Sequence, residues 1–189
     1  MPLLDSRQNL PHAPQRVLVA GTAASGKTTL AARVAETLGT PHVEIDALYH
    51  GPNWIPRPTF EGDVEQFSAK PRWVTEWQYG QVRAMLADRA DLVVWLDLPR
   101  LTVMRQVIRR TMRRRRHREA LWNDNVEPPL WTILTDEAHI VRWAWSTHNK
   151  TTIRVDELRR RRPELPIVRL RNHDEAARWL DGPLAATAT

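Results

Sequence analysis

Eight residues, Gly21-Thr22-Ala23-Ala24-Ser25-Gly26-Lys27-Thr28, carry the strongest chemical signal in this chain. They fit G-x-x-x-x-G-K-[ST], a loop that cradles phosphate. Glycines at both ends let the backbone curl through angles that side chains resist. The curled amides then point inward at phosphate oxygens. In such loops the lysine, here Lys27, charges the β- and γ-phosphates, and the hydroxyl, here Thr28, ligates Mg²⁺. Thr29 lies in the first turn of the following helix, whose positive end faces the same anions. Gly21 through Thr29 are therefore the expected nucleotide-binding residues, with ATP and Mg²⁺ as the expected cofactors.

An ordinary Gly/Ser turn is the competing reading, and the flanking elements argue against it. Arg16-Val17-Leu18-Val19-Ala20 reads as a buried strand. Leu30, Val34 and Leu38 recur every fourth residue beyond the loop, which makes a helix stripe. Gly39 stops that helix and Pro41 forbids its continuation.

Further strands are predicted at His42–Ile45, Trp73–Thr75, Leu92–Leu96 and Pro166–Leu170. Helices are predicted over 60–69, 81–89, from Pro99 through an arginine-rich run, 137–148, onward to about 161, and from Asn172 to Leu180. Asn172 with Glu175 makes a capping box for the last of these. Strands alternating with helices argue an α/β fold with a parallel sheet. Residues 1–15, with three prolines, read as a flexible arm, 16–180 as one domain, and 181–189 as a disordered tail.

Ligands collect at the carboxyl ends of strands in open α/β sheets. Three acids fall there: Asp46, Glu76 and Asp97. Each could hold Mg²⁺ or accept the proton of an acceptor hydroxyl. Each could equally be a helix cap or a loop acid. Asp46 is the candidate catalytic carboxylate, because Gly51–Pro58, with three prolines and Trp54, follows it and can wall an acceptor pocket.

The segment Arg100–Arg118 holds nine arginines, no lysine and no acid. Without those nine, the 28 basic residues of the chain fall below its 22 acidic ones. The basic excess is local, and suits a triphosphate as well as it suits nucleic acid. Arg105 and Arg109 are four apart and share a helix face, from which they could reach bound phosphates as a lid. Arg113–Arg116 point all around a helix and read better as a solvated face.

Asp136-Glu137-Ala138-His139 spells a helicase box, but no apolar strand leads into it, and it reads better as a helix N-terminus. Of the nine tryptophans, Trp54, Trp77 and Trp122 lie on loops and are the candidates for stacking on a base. Cysteine is absent, which excludes disulfides and thiolate metal sites. No apolar run is long enough for a bilayer, so a soluble cytoplasmic protein with no membrane partner is expected. Nothing in the sequence fixes an oligomeric state.

The ordered set of the phosphate loop, Ile45-Asp46-Ala47-Leu48, Pro52-Asn53-Trp54, Trp73-Val74-Thr75-Glu76-Trp77-Gln78-Tyr79 and Val94-Trp95-Leu96-Asp97-Leu98-Pro99-Arg100 resembles the adenylate-kinase-related P-loop proteins. Some of these are called DNA topology modulation proteins. Leu121–Glu127 resembles a lid motif of actinobacterial AAA-family ATPases.

The resemblance implies a nucleoside-monophosphate-kinase-like fold with a five-stranded parallel sheet in the order 2-3-1-4-5 and an arginine-rich lid over about 105–130. It puts Glu76 where such kinases keep a Mg²⁺-holding acid, Arg105 and Arg109 where they keep lid arginines, and Arg171–His173 at the adenine. Relatives often carry Asp-Gly-Asn-Tyr where Glu76-Trp77-Gln78-Tyr79 stands, and no arginine follows until Arg83. That departure weighs against AMP as the acceptor.

The expected function is a Mg-ATP-dependent phosphotransferase acting on a small-molecule acceptor, with Lys27, Asp46, Arg105 and Arg109 as catalytic residues. Thr28 and Glu76 are the expected metal residues, and Arg171 joins the nucleotide set. A nucleoside monophosphate kinase, and a nucleotide-binding regulator associated with nucleic acid, are the alternatives; nucleic acid is the less favoured partner.

Overall fold

Four apolar residues in a row set the layers of this fold. Val17 and Val19 face one side of a sheet, Leu18 and Ala20 face the other, and all four are fully buried. A strand hidden on both faces needs a cover of helices on each, which is the arrangement of parallel α/β sheets. A computed structural model of the chain describes residues 3–117 and 140–188. In it, β1 (Leu3–Leu4), β2 (Arg16–Gly21), β3 (Trp73–Glu76), β4 (Leu92–Leu96) and β5 (Ile167–Leu170) form one sheet in the order β1-β5-β4-β2-β3. Every pairing is parallel.

Helix α1 (Lys27–Leu38) packs Leu30, Val34 and Leu38 into the Val17/Val19 layer, with Val103 and Val107 of α5 (Arg100–His117). Gly39 ends α1 in the left-handed conformation at φ 56°, as its position after the stripe predicts. The opposite layer holds Phe60 and Val64 of α3 (Phe60–Ser68), Val82 and Leu86 of α4 (Gly80–Arg89), and Val155 and Leu158 of α6 (Ile140–Arg161). Helix α7 (His173–Trp179) starts at the expected cap, where the Asn172 side chain accepts from the Glu175 amide at 2.8 Å. Such a cap contributes about 1 kcal/mol.

The expected α/β fold with a parallel sheet is present, and the structure corrects its edges. The predicted strand His42–Ile45 shrinks to one bridge between His42 and Val74, beside β3 where the 2-3-1-4-5 order requires it. The chain then turns into α2 (Ile45–Tyr49). The cause is a side chain on the neighbouring strand. The Ile45 amide donates to Glu76 Oε2 at 3.1 Å, which satisfies a helix-start amide that a ladder would otherwise have used.

At the far edge, β1 is a fifth strand where a flexible arm was expected: Leu3 and Leu4 pair with Ile167 and Val168. Its two leucines are the apolar content that the proline-rich stretch conceals. The expected disordered tail is ordered through Thr187: Leu180–Leu184 forms a π-turn, Ala185–Thr187 a 3-10 turn, and Leu184 is fully buried. One continuous α6 replaces the two helices expected up to Arg161. Lid residues 118–130, with Trp122, and the Asp136–His139 box lie outside the described residues. Among the described residues, no helix is long and apolar enough to cross a membrane.

Candidate functional site

The phosphate loop joins the end of β2 to the start of α1. Ala24 and Gly26 hold positive φ, 59° and 94°. Gly21 is required for a different reason: a Cβ there would meet Ser25 Oγ at 2.6 Å. The loop therefore closes tightly on itself. The Ser25 amide bonds to Thr22 O at 3.1 Å, and the Ser25 hydroxyl is buried with no hydrogen-bond partner. A buried polar atom left unmatched inside a curled loop fits a loop built to receive oxygens.

Lys27 is buried, and its ammonium donates to Thr22 O at 3.0 Å. Burial lowers its basicity, the charges of Asp46 and Glu76 oppose that effect, and Arg110 adds to it. Both acids thus act on the loop lysine, although they come from separate elements.

Glu76, at the end of β3, is 1% exposed. His42 Nε2 lies 3.1 Å from Oε1, and the Ile45 amide donates to Oε2. Burial alone would raise its pKa; the hydrogen bonds from His42 and Ile45 outweigh that and hold the carboxyl below its usual range. It is kept ionised behind the lysine. Among the described residues, no group of three or more His, Cys, Asp or Glu converges as a metal cluster. Thr28 and Glu76 flank Lys27 as the oxygen donors that could support Mg²⁺, a metal that keeps most of its own waters.

Asp46 is half-buried in the first turn of α2. Its Oδ1 accepts from Gln78 Nε2 and from the Tyr79 hydroxyl, each at 2.5 Å. Its carboxylate therefore engages side chains and does not cap α2. An aromatic wall surrounds it. Tyr79 stacks on Tyr49 at 3.9 Å, Tyr49 meets Phe60 edge-on, and His50 meets Trp54 edge-on. Asn53 and Trp54 both hold positive φ in the Gly51–Pro58 segment, so that segment folds as a sharp turn next to Asp46. Trp54 stays partly exposed. Trp77 does not: it is buried in the core, with its indole N–H donating to Arg83 O, which removes it from the stacking candidates.

On α5, Arg105 and Arg109 share one exposed face, as their spacing requires. The face turned to the phosphate loop is one residue further round. Arg110 acts on Lys27, and Gln106 Nε2 meets His173 Nε2, whose ring stands over Gly26. Neither Arg110 nor Gln106 is singled out by the sequence. Two pairs spaced by four lie side by side, and only the burial of Val103 and Val107 tells which one faces inward. Arg171 is exposed at the end of β5, just before the Asn172 cap and His173, and the His173 ring lies near Gly26. Asp97 is committed elsewhere: it pairs with Arg169, whose guanidinium lies over Trp95.

No protein-family model matches the chain. No curated protein matches it either. Solved structures do. A gluconokinase from Sinorhizobium meliloti 1021 aligns at 20% identity over 94% of this chain and 95% of its own, with a TM-score of 0.55. A sugar kinase from Janibacter sp. HTCC2649 aligns at 18% identity over 100% and 99%, with a TM-score of 0.45. A shikimate kinase from Aquifex aeolicus aligns at 12% identity over 88% and 91%, with a TM-score of 0.46. The first of these shows that the chain has the fold of that gluconokinase along nearly its whole length.

Proposed function

We propose that this chain is a Mg-ATP-dependent phosphotransferase that acts on a hydroxyl of a small molecule. The observation that carries the reading is the placement of Asp46. A carboxylate held by Gln78 and Tyr79 acts on the buried loop lysine and sits beside a cluster of aromatic rings. A fold shared with a gluconokinase supports the same reading.

Residues 21–29 would hold the triphosphate, with Lys27 on the transferring group and Ser25 offering its unmatched hydroxyl. Mg²⁺, held by Thr28 with Glu76 behind it, would neutralise charge that develops between the β- and γ-phosphates. Asp46 would orient the acceptor hydroxyl and take its proton as the oxygen–phosphorus bond forms; the γ-phosphoryl leaves ADP and joins the acceptor. Tyr79 and Gln78 would keep Asp46 aimed. Arg110 would meet the phosphates first, with Arg105 and Arg109 on the adjoining face reached by helix movement, and Arg171 at the adenine.

Incubating the protein with Mg-ATP and pools of hydroxylated metabolites, and following ³¹P spectra, tests the reading. A new phosphoester that grows with ADP is expected. Slow release of inorganic phosphate, with no phosphoester from any pool, would replace this reading with that of a nucleotide-hydrolysing regulator.

A further inference from the structure

The outer edge of the sheet leaves a notch. β1 stops at Leu4, which pairs with Val168, while β5 runs two residues further, to Leu170. The turn after β1 and the first turns of α7 close around the uncovered end of β5. Between them lies a cavity of about 420 Å³. That volume is in the range of small-molecule sites.

The lining is basic. Arg7 follows β1, Arg169 lies on β5, Arg171 follows β5 and Arg178 lies on α7. Two acids, Asp5 and Glu175, share the lining, and both are engaged by backbone. Asp5 Oδ1 accepts from the Arg7 amide at 2.7 Å, and Glu175 Oε2 accepts from the Arg171 amide at 2.7 Å. These bonds fix the backbone from which Arg7 and Arg171 project, and they neutralise neither guanidinium. Arg169 pairs with Asp97. Among the described residues, the guanidiniums of Arg7, Arg171 and Arg178 have no acidic partner. An exposed arginine without an acid is ordinary, and Arg160 on α6 is one. Here three of them, from separate parts of the chain, line one concave space.

Ser6 is an independent sign. It is 5% exposed and lines the same cavity, and its hydroxyl makes no hydrogen bond among the described residues. A hydroxyl so nearly buried is ordinarily bonded, so its partner must enter by the cavity.

The donors select the anion. One guanidinium fork satisfies both oxygens of a carboxylate. Two forks and a hydroxyl exceed that and match the three terminal oxygens and the double charge of a phosphate ester. Asp5 Oδ2 accepts no bond among the described residues and can take a ligand hydroxyl. The cavity is also separate from the phosphate loop. β2, which leads into that loop, is two strands from β5 and three from β1, roughly 10–14 Å at the usual strand spacing.

We propose that this cavity is a second ligand site, in which Arg7, Arg178 and Ser6 hold the phosphate group of a hydroxylated phosphate ester while the phosphate loop holds its nucleotide. Arg171 adds positive charge at the border of the two sites. The kinase reading gives Arg171 to the adenine, so the tests rest on the other three residues, which that reading does not use.

The full chain, with its phosphate loop filled by excess Mg-AMPPNP, would be titrated by calorimetry with D-glucose 6-phosphate, inorganic phosphate, D-gluconate and D-glucose. Glucose 6-phosphate and inorganic phosphate should bind. Gluconate should bind at least tenfold more weakly than glucose 6-phosphate, and glucose should not bind. Arg7→Gln and Arg178→Gln should each weaken glucose 6-phosphate at least tenfold, and Arg160→Gln should leave it unchanged. Arg7 and Arg178 are exposed, so neither change should move the melting temperature of the ligand-free protein by more than about 2 °C. Ser6→Ala should weaken binding severalfold and leave the melting temperature level, since its hydroxyl has no bond to lose.

Glucose 6-phosphate that binds only when Mg-AMPPNP is absent would make the cavity part of the nucleotide site and overturn the proposal. So would an affinity unchanged in both Arg7→Gln and Arg178→Gln, an equal weakening in Arg160→Gln, or gluconate bound as tightly as glucose 6-phosphate. Binding that depends on Arg7 and Arg178, without phosphoryl transfer in the ³¹P assay, would leave this site standing and remove the kinase reading.

Discussion

The Tyr79 hydroxyl donates to the Asp46 carboxylate from a backbone held at φ 58°, a conformation that a bulky side chain rarely adopts. Such a residue costs roughly 1–3 kcal/mol of strain, and the surrounding structure must offset it. Here the stack on Tyr49 and the edge contact with Phe60 hold the ring in place. Burial, then the charge of Asp46, push the phenol pKa well up, so Tyr79 remains a donor at any physiological pH. Asp46→Asn should retain Mg-ATP affinity and lose transfer by roughly 10²–10⁴-fold, the range for a positioned base. Tyr79→Phe should lose far less, on the order of tenfold, because Gln78 still holds the carboxylate. Steady-state kinetics on the acceptor found by the ³¹P screen, with Mg-ATP affinity measured separately, decide this; near-normal transfer by Asp46→Asn would remove it from the catalytic set.

Lys27 is buried and bonded to its own loop, so its loss should be felt by the nucleotide before it is felt by the fold. Lys27→Ala should abolish the rise in melting temperature that Mg-ATP gives the parent protein. The variant without ligand should still unfold in one cooperative transition. Equal stabilisation of variant and parent by Mg-ATP would sink the site assignment.

The rotation of α5 separates two sets of arginines. Arg110 shares a face with Gln106 and acts on Lys27; Arg105 and Arg109 are exposed. Arginines that stabilise a transferring phosphoryl group are worth 10³-fold or more, roughly 4 kcal/mol. Arg110→Ala should therefore cost on the order of 10³-fold in kcat, and Arg105→Ala or Arg109→Ala less than about tenfold. The reverse ranking in single-turnover rates would mean that the helix turns its other face to the nucleotide during turnover.

His50 gives the site a dependence on pH. Burial lowers its pKa below the usual 6.5, partly opposed by Asp46. A histidine more acidic in the folded chain favours folding above its unfolded pKa, and that contribution is lost as pH falls through the folded value. The melting temperature should drop between pH 7.5 and 5.5, and His50→Gln should drop less over the same interval. Parallel curves for the two proteins would rule His50 out as the source.

The centre of this molecule was legible from its residues, and the edges were not. The phosphate loop, the strands β2, β3, β4 and β5, the Gly39 stop and the Asn172 cap each follow from local spelling, because backbone freedom and apolar period act over a few residues. Sheet logic put Asp46 at the end of a strand that α2 replaces, and its charge nevertheless acts on Lys27. What stayed hidden depends on partners distant in sequence. The His42–Ile45 strand gives way to α2 because a carboxylate on β3 takes one amide. Trp77 reads as a loop tryptophan until Arg83 O claims its indole. The inward face of α5 is fixed by what Val103 and Val107 pack against, which no periodicity within the helix can reveal.

The position of β1 bears on the order in which the fold is completed. Leu3 and Leu4 are made before every other strand, yet they dock on β5, which is made last. While the chain emerges from the ribosome, two leucines and the outer edge of the sheet must wait unmatched, since closing so long a loop is slow and its entropy must be met before the contact forms. The sheet is sealed at that edge only in a finished chain. A chain cut short before β5 would therefore expose the open side of β4 and a free apolar segment able to join it, and would be more prone to self-association than its composition suggests.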